Sequence, residues 1–556
     1  MALGGWGGCG QAGDNNVSSG GKFRWRVPRR PDVHCRRMVL QARTGASTRA
    51  RPGRWPTSVR FAPETRILVG LTVLAAVLRF VDISSQSYWL DESQAAHELS
   101  LSFGSMLGAW NSAEWNPPLY LIVAWPWAHV FGTGQVGLRS LSAILGTGLV
   151  PLLYLCGREL VSRRAGLVAA ALAAVNPFLI WYSQEAREYM LLVVLCAAAM
   201  LCFARAWRTG SARAVVWWAV LSALALLTQY FAGFLIAAEG VLLLYRLRNR
   251  LVVVACGAQL VVLAPLIPHV IPRLQSRSTF ITSQGLVTRL QQVPVAFGLN
   301  TLYKSPGVRY GLLGAAALAA IVIVLLIVGA DGRELRGAGV AAALAGAVLF
   351  IPLALALVGH DDYIARGLMP AWPPLAIVIG AACTGRRAGR PAQLCGATLV
   401  VVLVATFAWA GIKIESDASF QRPNWRGVAR ALGTSPGTRA VAAFDGEFAT
   451  APLSFYLPGI PWLGPGHAPD ADQAPATISE LDLVRDSSQT LGRLPGGMRR
   501  IGERLVDGHV VDRFALRSPL RGVTPTTLAS RALHLLTPGL AASVPPPTVM
   551  IQRSPA

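Results

Sequence analysis

Twelve apolar stretches follow one another along the chain, near 66–82, 117–132, 138–156, 165–181, 189–206, 213–228, 229–246, 251–271, 310–329, 338–358, 366–383 and 395–412. A helix that crosses a bilayer needs about 20 predominantly apolar residues, and most of these stretches come close to that length. No soluble core can enclose so many. Composition agrees: 53% of the residues are apolar and 14% charged, with a mean hydropathy of +0.45, where an ordinary soluble domain has about 25% charged residues. Disordered, collagen-like and disulfide-scaffold classes are excluded. The eight cysteines lie outside any segment placed beyond the membrane, and the chain has no CxxC pair, His/Cys cluster or HExxH. No disulfide framework and no structural metal site are therefore expected.

The net charge of +23, from 51 Lys+Arg against 28 Asp+Glu, acquires meaning from where the charges sit. Residues 1–66 hold thirteen Lys+Arg and three acids, and residues 1–65 read as a disordered basic tail that is too polar to offset its ordering entropy. Nucleic-acid binding is not expected of it, because aromatics are sparse and no module signature is present. Short loops rich in Lys/Arg face the cytosol, and five qualify: Arg158, Arg163 and Arg164; Arg205, Arg208 and Arg213; Arg246, Arg248 and Arg250; Arg333 and Arg336; Arg386, Arg387 and Arg390. Between Phe80 and Leu138 there is no Lys or Arg, but Asp82, Asp91, Glu92, Glu98 and Glu114 lie there, so this stretch belongs outside.

If all twelve stretches crossed, the tail and the Arg158–Arg164 loop would lie on opposite sides. Stretch 117–132 is the one expected not to cross, since it opens with Pro117-Pro118 and carries Pro126, His129, Trp125 and Trp127. The sequence thus predicts an all-α polytopic membrane protein: a domain over 66–412 with about eleven spans plus an outer juxtamembrane helix, a cytosolic N-terminus, and a small extracytoplasmic α/β domain over 413–556.

Positive charge left on the outer side needs a compensating reason. Arg139, Arg187 and Arg366 lie in short outer loops, Arg79 lies at the mouth of the first span, and the long loop 272–309 adds Arg289 and Lys304 among others. A guanidinium fork at the membrane surface suits a lipid-borne phosphate, or else a structural ion pair such as Arg187 with Glu185 or Glu188. The pair Asp91-Glu92 can act as a general base or hold a divalent ion. Two adjacent acids equally suit a solvated loop or a helix N-terminus.

The blocks Leu78-Arg79-Phe80, Ser85-Gln86-Ser87-Tyr88-Trp89-Leu90-Asp91-Glu92, Asn116-Pro117-Pro118-Leu119-Tyr120 and Gly137-Leu138-Arg139-Ser140 resemble the GT-C glycosyltransferases of the family 39, protein-mannosyltransferase-like group. Asn176-Pro177-Phe178, the run Trp181 to Arg187, and Tyr189 are similar to that group's second outer loop, and Asp362-Tyr363 with Arg366 and Pro370 to its late-span motif. Gln421-Arg422-Pro423-Asn424-Trp425-Arg426 resembles the start of the C-terminal domain in actinobacterial-type members.

The resemblance implies a plasma-membrane enzyme that takes a sugar from a polyprenyl-phosphate donor. It would transfer that sugar, with inversion, to a hydroxyl of a protein, lipoglycan or cell-wall glycan on the extracytoplasmic side. It also implies Asp91 as catalytic base with Glu92 assisting or orienting, a phosphate grip drawn from Arg79, Arg187 and Arg366, and Tyr182, Tyr189 and Tyr363 near lipid or sugar. Glu185 joins the substrate-binding set. Asn116 stands where members commonly carry His or Lys, so it would meet phosphate by a hydrogen bond without charge. No cofactor is implied beyond a divalent cation that Asp91 and Glu92 could hold. The competing readings are a transporter or flippase for a lipid-linked sugar, against which the lack of paired repeats speaks, and an inactive relative that binds a cell-wall partner.

Overall fold

The computed structural model describes residues 62–113, 116–268, 271, 281, 283–387, 389–465, 473–537 and 544–553; the expected basic tail lies outside them. Each of the twelve apolar stretches carries a helix. The first region holds α1 (Pro63–Phe80), α2 (Leu90–Ser100), α3 (Phe103–Ala113) and α4 (Leu119–Phe131). Next come α5 (Gln135–Leu160), α6 (Arg163–Val175), α7 (Pro177–Ser183), α8 (Tyr189–Thr209), α9 (Ala212–Leu226), α10 (Ala232–Leu247) and α11 (Arg250–Leu263). The last group is α12 (Leu286–Leu299), α13 (Gly311–Gly329), α14 (Gly332–Leu357), α15 (Trp372–Thr384) and α16 (Gly389–Ser416).

Local sequence sets the helix starts. Ser162, Asn176, Ser211 and Asn249 each accept a hydrogen bond from a first-turn N–H of α6, α7, α9 and α11, and Asp331 with Glu334 forms a capping box on α14. Pro177 forces the residue before it out of helical geometry. Asn176 is accordingly extended, and α6 and α7 meet at 60°, so the stretch expected as one span over 165–181 is broken.

Among the described residues, five helices are long and apolar enough to cross a membrane, and six if the bent pair is one span. Helix α4, the stretch expected not to cross, has 13 residues; of the stretches expected to cross, α15 has 13, α11 has 14, α9 has 15 and α10 has 16, so length alone supports fewer than eleven full spans. At 1.5 Å per residue, α4 is only about 20 Å long. The segment Pro306–Gly329 and α16 each bury only 11% of their most apolar window inside the protein, and so much exposed apolar surface requires lipid around it. The chain is a multi-pass membrane protein.

Small residues set the helix contacts, as is usual where lipid gives no hydrophobic drive between helices. A Cβ on Gly157 would lie 2.6 Å from the Cα of Gly166, one on Gly380 would lie 2.4 Å from the Ala165 carbonyl oxygen, and one on Gly337 would lie 2.0 Å from that of Leu160. Helix α5, with 26 residues, spans about 39 Å and separates two chemically different ends. At one end Glu159 gathers Arg158, Arg205 and Arg208. At the other end Gln135 donates to the Tyr456 hydroxyl.

Tyr456 belongs to the C-terminal α/β domain, built from α17 (Trp425–Leu432), β1 (Arg439–Ala443), α18 (Glu447–Tyr456), β2 (Ala476–Asp486), β3 (Met498–Val506), β4 (His509–Val523), α19 (Pro525–Leu533) and β5 (Thr548–Gln552). The sheet order is β3-β4-β2-β1-β5, with only β1 and β2 parallel. Strand β1 is buried along its whole length because both its faces are covered: Val441 and Ala443 pack with Trp425, Leu432 and Leu453 on one side, and Ala440 and Ala442 with Phe514, Leu528 and Ala532 on the other.

Candidate active site

At the end of the bundle that carries the α/β domain, the loop before α2 is held by one buried ion pair. Arg139, in the first turns of α5, donates from Nε and Nη2 to the two carboxylate oxygens of Glu92, both at 2.7 Å. Its remaining hydrogen bonds go to the carbonyls of Ile83, Gln86 and Ser87, and the Ala186 N–H donates to Glu92 Oε1. Burial pushes the Glu92 carboxyl up, but Arg139 and Arg422 outweigh it and hold the group below its ordinary value. Glu92 is fully buried, so it orients its neighbour and does not itself reach a substrate.

That neighbour is Asp91. Both acids lie in the first turn of α2, where negative charge meets the positive end of the helix; Glu92 faces inward and Asp91 is partly exposed. The Asp91 carboxylate lies 3.3 Å from Arg366 Nη1, and Arg366 rests over the Trp89 ring. Arg187 pairs with Glu188 at 3.0 Å and donates from Nη1 to the Asp91 carbonyl. Asn116 donates from its amide to the other oxygen of Glu188. A continuous polar chain thus runs from Asn116 through Glu188 and Arg187 to the Asp91 backbone.

Beside this chain opens a cavity of about 260 Å³ whose lining includes Trp89, Tyr182, Glu185, Lys304, Arg366 and Arg422. Arg422 comes from the segment joining α16 to the α/β domain. Its Nη2 donates to Glu185 at 2.6 Å and its Nη1 to the Gln184 carbonyl, and its guanidinium stacks on Trp181. Arg289, on α12, is anchored by both oxygens of Asp361 and by the Tyr363 carbonyl. Burial, helped by Glu92 and Asp91, pushes Glu185 up to about 7 against the pull of Arg422 and Arg366.

Several expected roles change. Arg79, expected at the phosphate, is fully buried and spends its donors on the carbonyls of Ala75, Ala173 and Ala174 and on the Ser183 hydroxyl. The bend at Asn176-Pro177 leaves the last carbonyls of α6 without helical partners, and Arg79 satisfies them. Asn116 meets Glu188 through its amide in place of the expected phosphate. Tyr363 is buried behind the cavity wall, and Tyr189 packs edge-on against Tyr182. Asp91 and Glu92 do not fit a divalent cation, because the Glu92 oxygens are bonded to Arg139 and Ala186 and no group of three His, Cys, Asp or Glu suited to a metal occurs among the described residues. Arg139, Arg289 and Arg422 were outside the expected site set. The sequence signals for Arg139 were positive charge on the outer side and its place in the Gly137–Ser140 block, for Arg289 the charge alone, and for Arg422 its place in the Gln421–Arg426 block.

Residues 116–271 match the family described as dolichyl-phosphate-mannose-protein mannosyltransferase. No curated protein sequence matches the chain. Among solved structures, the chain is similar to ArnT from Cupriavidus metallidurans bound to undecaprenyl phosphate, with 16% identity, 81% of this chain and 98% of that chain covered, and a TM-score of 0.50. The apo state of that protein gives 15% identity, the same coverage and a TM-score of 0.49. The S. cerevisiae protein O-mannosyltransferase Pmt1-Pmt2 complex bound to the sugar donor overlaps 38% of this chain and 33% of that chain, at 18% identity and a TM-score of 0.30. The family match covers the segment holding Asn116, Arg139, Tyr182, Glu185 and Arg187. Together with the fold shared with ArnT, it likens the chain to membrane-embedded glycosyltransferases of the GT-C type.

The buried pair gives a stability prediction. Glu92→Ala leaves the Arg139 guanidinium uncompensated and is expected to cost about 3–5 kcal/mol, seen as a lower unfolding temperature in detergent. The double variant Glu92→Leu with Arg139→Met should recover part of that loss; a double variant less stable than Glu92→Ala would contradict the assignment.

Proposed function

We propose that the chain transfers a sugar from a polyprenyl-phosphate donor to a hydroxyl acceptor on the extracytoplasmic face of the plasma membrane, with inversion, and with Asp91 as general base. The observation that carries this reading is that the Asp91 carboxylate lies 3.3 Å from the guanidinium of Arg366, which lines the cavity. In the reaction, the acceptor oxygen gives its proton to the Asp91 carboxylate and bonds to the anomeric carbon. The bond from that carbon to the phosphate oxygen breaks, and its electron pair leaves with the lipid phosphate. One displacement inverts the centre. The departing phosphate gains charge, which Arg366 and Lys304 stabilise from the cavity wall.

Support for the donor class comes from the family match and from the shared fold with a transferase that binds undecaprenyl phosphate. Arg187 and Glu188 act by fixing the Asp91 backbone, and Tyr182 supplies an apolar wall for sugar or prenyl chain. The acceptor hydroxyl in this reading belongs to a protein, lipoglycan or cell-wall glycan. We also retain the eleven-span topology, with the arginine-rich end cytosolic, as part of this proposal.

Three measurements test it. General-base help is worth about 10²–10⁴ in rate, so Asp91→Asn should reduce sugar transfer from polyprenyl-phosphate sugar by that factor while donor binding persists, and Arg366→Ala should weaken both. Full activity in Asp91→Asn would remove the base.

Glu185 supplies a pH signature. With its proton held to about pH 7, the carboxyl is neutral below that value and an anion above it. A phosphodiester donor keeps one negative charge throughout, so its KM should rise between about pH 6 and 8 in the wild type and stay flat in Glu185→Gln. The same shift makes the stability contributed by this group complete below its ordinary value near 4.5 and lost as pH rises through about 7.

Sidedness is tested by labelling single cysteines introduced by Asn111→Cys and Arg163→Cys. Opposite accessibility is expected; labelling from the same side would overturn the topology.

A further inference from the structure

The cavity holds a second kind of group, one that the ion pairs do not use. Asn300 and Thr301 open the turn Asn300–Lys304 that follows α12, and both line the cavity. Each is at least nine-tenths buried, yet Asn300 Nδ2 and Thr301 Oγ1 have no hydrogen-bond partner among the described residues. The Trp89 indole N–H, on the same cavity, is also unpartnered. A buried polar group left unpaired costs about 1–3 kcal/mol, and the three groups belong to residues that line one cavity.

The backbone adds an independent observation. Asn300 has φ 50° and ψ −128°, a region open to glycine and costly for a side chain. Asparagine therefore stands where glycine would be easier, and what it brings in exchange is a buried amide at the cavity wall. In the same turn Lys304 is exposed, lines the cavity and makes no ion pair among the described residues.

We infer that the Asn300–Lys304 turn reads the sugar of the donor, with the Asn300 amide, the Thr301 hydroxyl and the Trp89 indole N–H hydrogen-bonding ring hydroxyls while Lys304 meets the adjoining phosphate. This rests on the proposed lipid-phosphate donor and adds to it the element that selects the sugar. Neutral donors and acceptors suit a polyol. The guanidinium groups nearby are engaged with Asp91, Asp361 and Glu185, so they hold charge in the cavity and leave the hydroxyls to neutral partners. A site built to hydrogen-bond a hydroxyl strongly rejects a ligand that lacks it, because its own groups are then left unpaired.

The test compares three lipids on the full-length protein in nanodiscs: polyprenyl phosphate, polyprenyl-phosphate mannose and polyprenyl-phosphate arabinofuranose. The wild type is expected to bind one sugar-bearing lipid at least about tenfold more tightly than the other. Asn300→Gly keeps the backbone geometry and removes the amide, and Thr301→Val keeps the shape and removes the hydroxyl. Each should narrow that discrimination by about tenfold while leaving polyprenyl phosphate affinity unchanged, and Asn300→Gly should unfold no earlier than the wild type. Discrimination that survives in both variants would overturn the inference, as would a parallel loss of polyprenyl phosphate affinity. If the wild type binds none of the three lipids, the donor reading itself fails; if it binds all three alike, that reading stands and the turn does not select the sugar.

Discussion

The pair between Arg139 and Glu92 is the contact on which the rest of the site depends. One guanidinium joins the first turns of α5 to the first turn of α2 and, through three carbonyls, to the loop between α1 and α2. Without it that loop would carry buried carbonyls with no donor, and Asp91, the residue next to Glu92, would have no fixed direction. Such a pair is costly to desolvate and adds little net stability over an apolar replacement. What it provides is placement, because a carboxylate that accepts two parallel bonds admits only one orientation of α2. Asp91 is thus left partly exposed and meets Arg366, which lines the cavity, while Glu92 stays buried.

The α/β domain bears on the same loop from the opposite direction. Arg426 donates to the Ser84 and Ser85 carbonyls and to Gln135, the Ser87 hydroxyl donates to the Pro423 carbonyl, and the Tyr88 N–H donates to the Tyr456 hydroxyl. His97 of α2 stacks on Trp462 at 4.4 Å. The loop that precedes Asp91 is therefore clamped between a membrane helix and a sheet domain that is distant in sequence. A substrate groove formed at this junction draws walls from both, which suits a reaction joining a lipid-borne group to a water-borne one.

How much of this was legible in the sequence differed by the kind of cause. The helices were legible because apolar stretches are local, Arg366 stood out because positive charge is scarce on the outer side, and Asp91 stood out through the family resemblance of the block that holds it. The break between α6 and α7 was equally local, since Asn176-Pro177 is a stop signal, but its consequence was not: the carbonyls freed there are what draw Arg79 inward, away from the cavity. Arg422 could not be assigned from its block, because its partners Glu185, Gln184 and Trp181 lie more than two hundred residues away in the chain. The number of full-length helices differs from the number of apolar stretches for a physical reason too. Hydropathy measures how apolar a stretch is, while turns at Pro118, Pro177 and Gly132 decide how much of it remains one straight helix.

The cavity separates two tasks by chemistry. Three of its cations are paired, Arg366 with Asp91, Arg422 with Glu185 and Arg289 with Asp361, so these guanidinium groups are already oriented before any ligand arrives and need little reorganisation when charge develops; Lys304 makes no ion pair among the described residues. Trp89, Asn300 and Thr301 each leave a buried neutral group without a partner among the described residues, as does one carboxyl oxygen of Glu185. In a low-dielectric site an unpaired charge would cost far more than an unpaired amide or hydroxyl. A ligand that fills the neutral vacancies gains hydrogen bonds without first breaking an ion pair. Selection of the sugar and stabilisation of the phosphate then rest on different residues, which lets one change without the other.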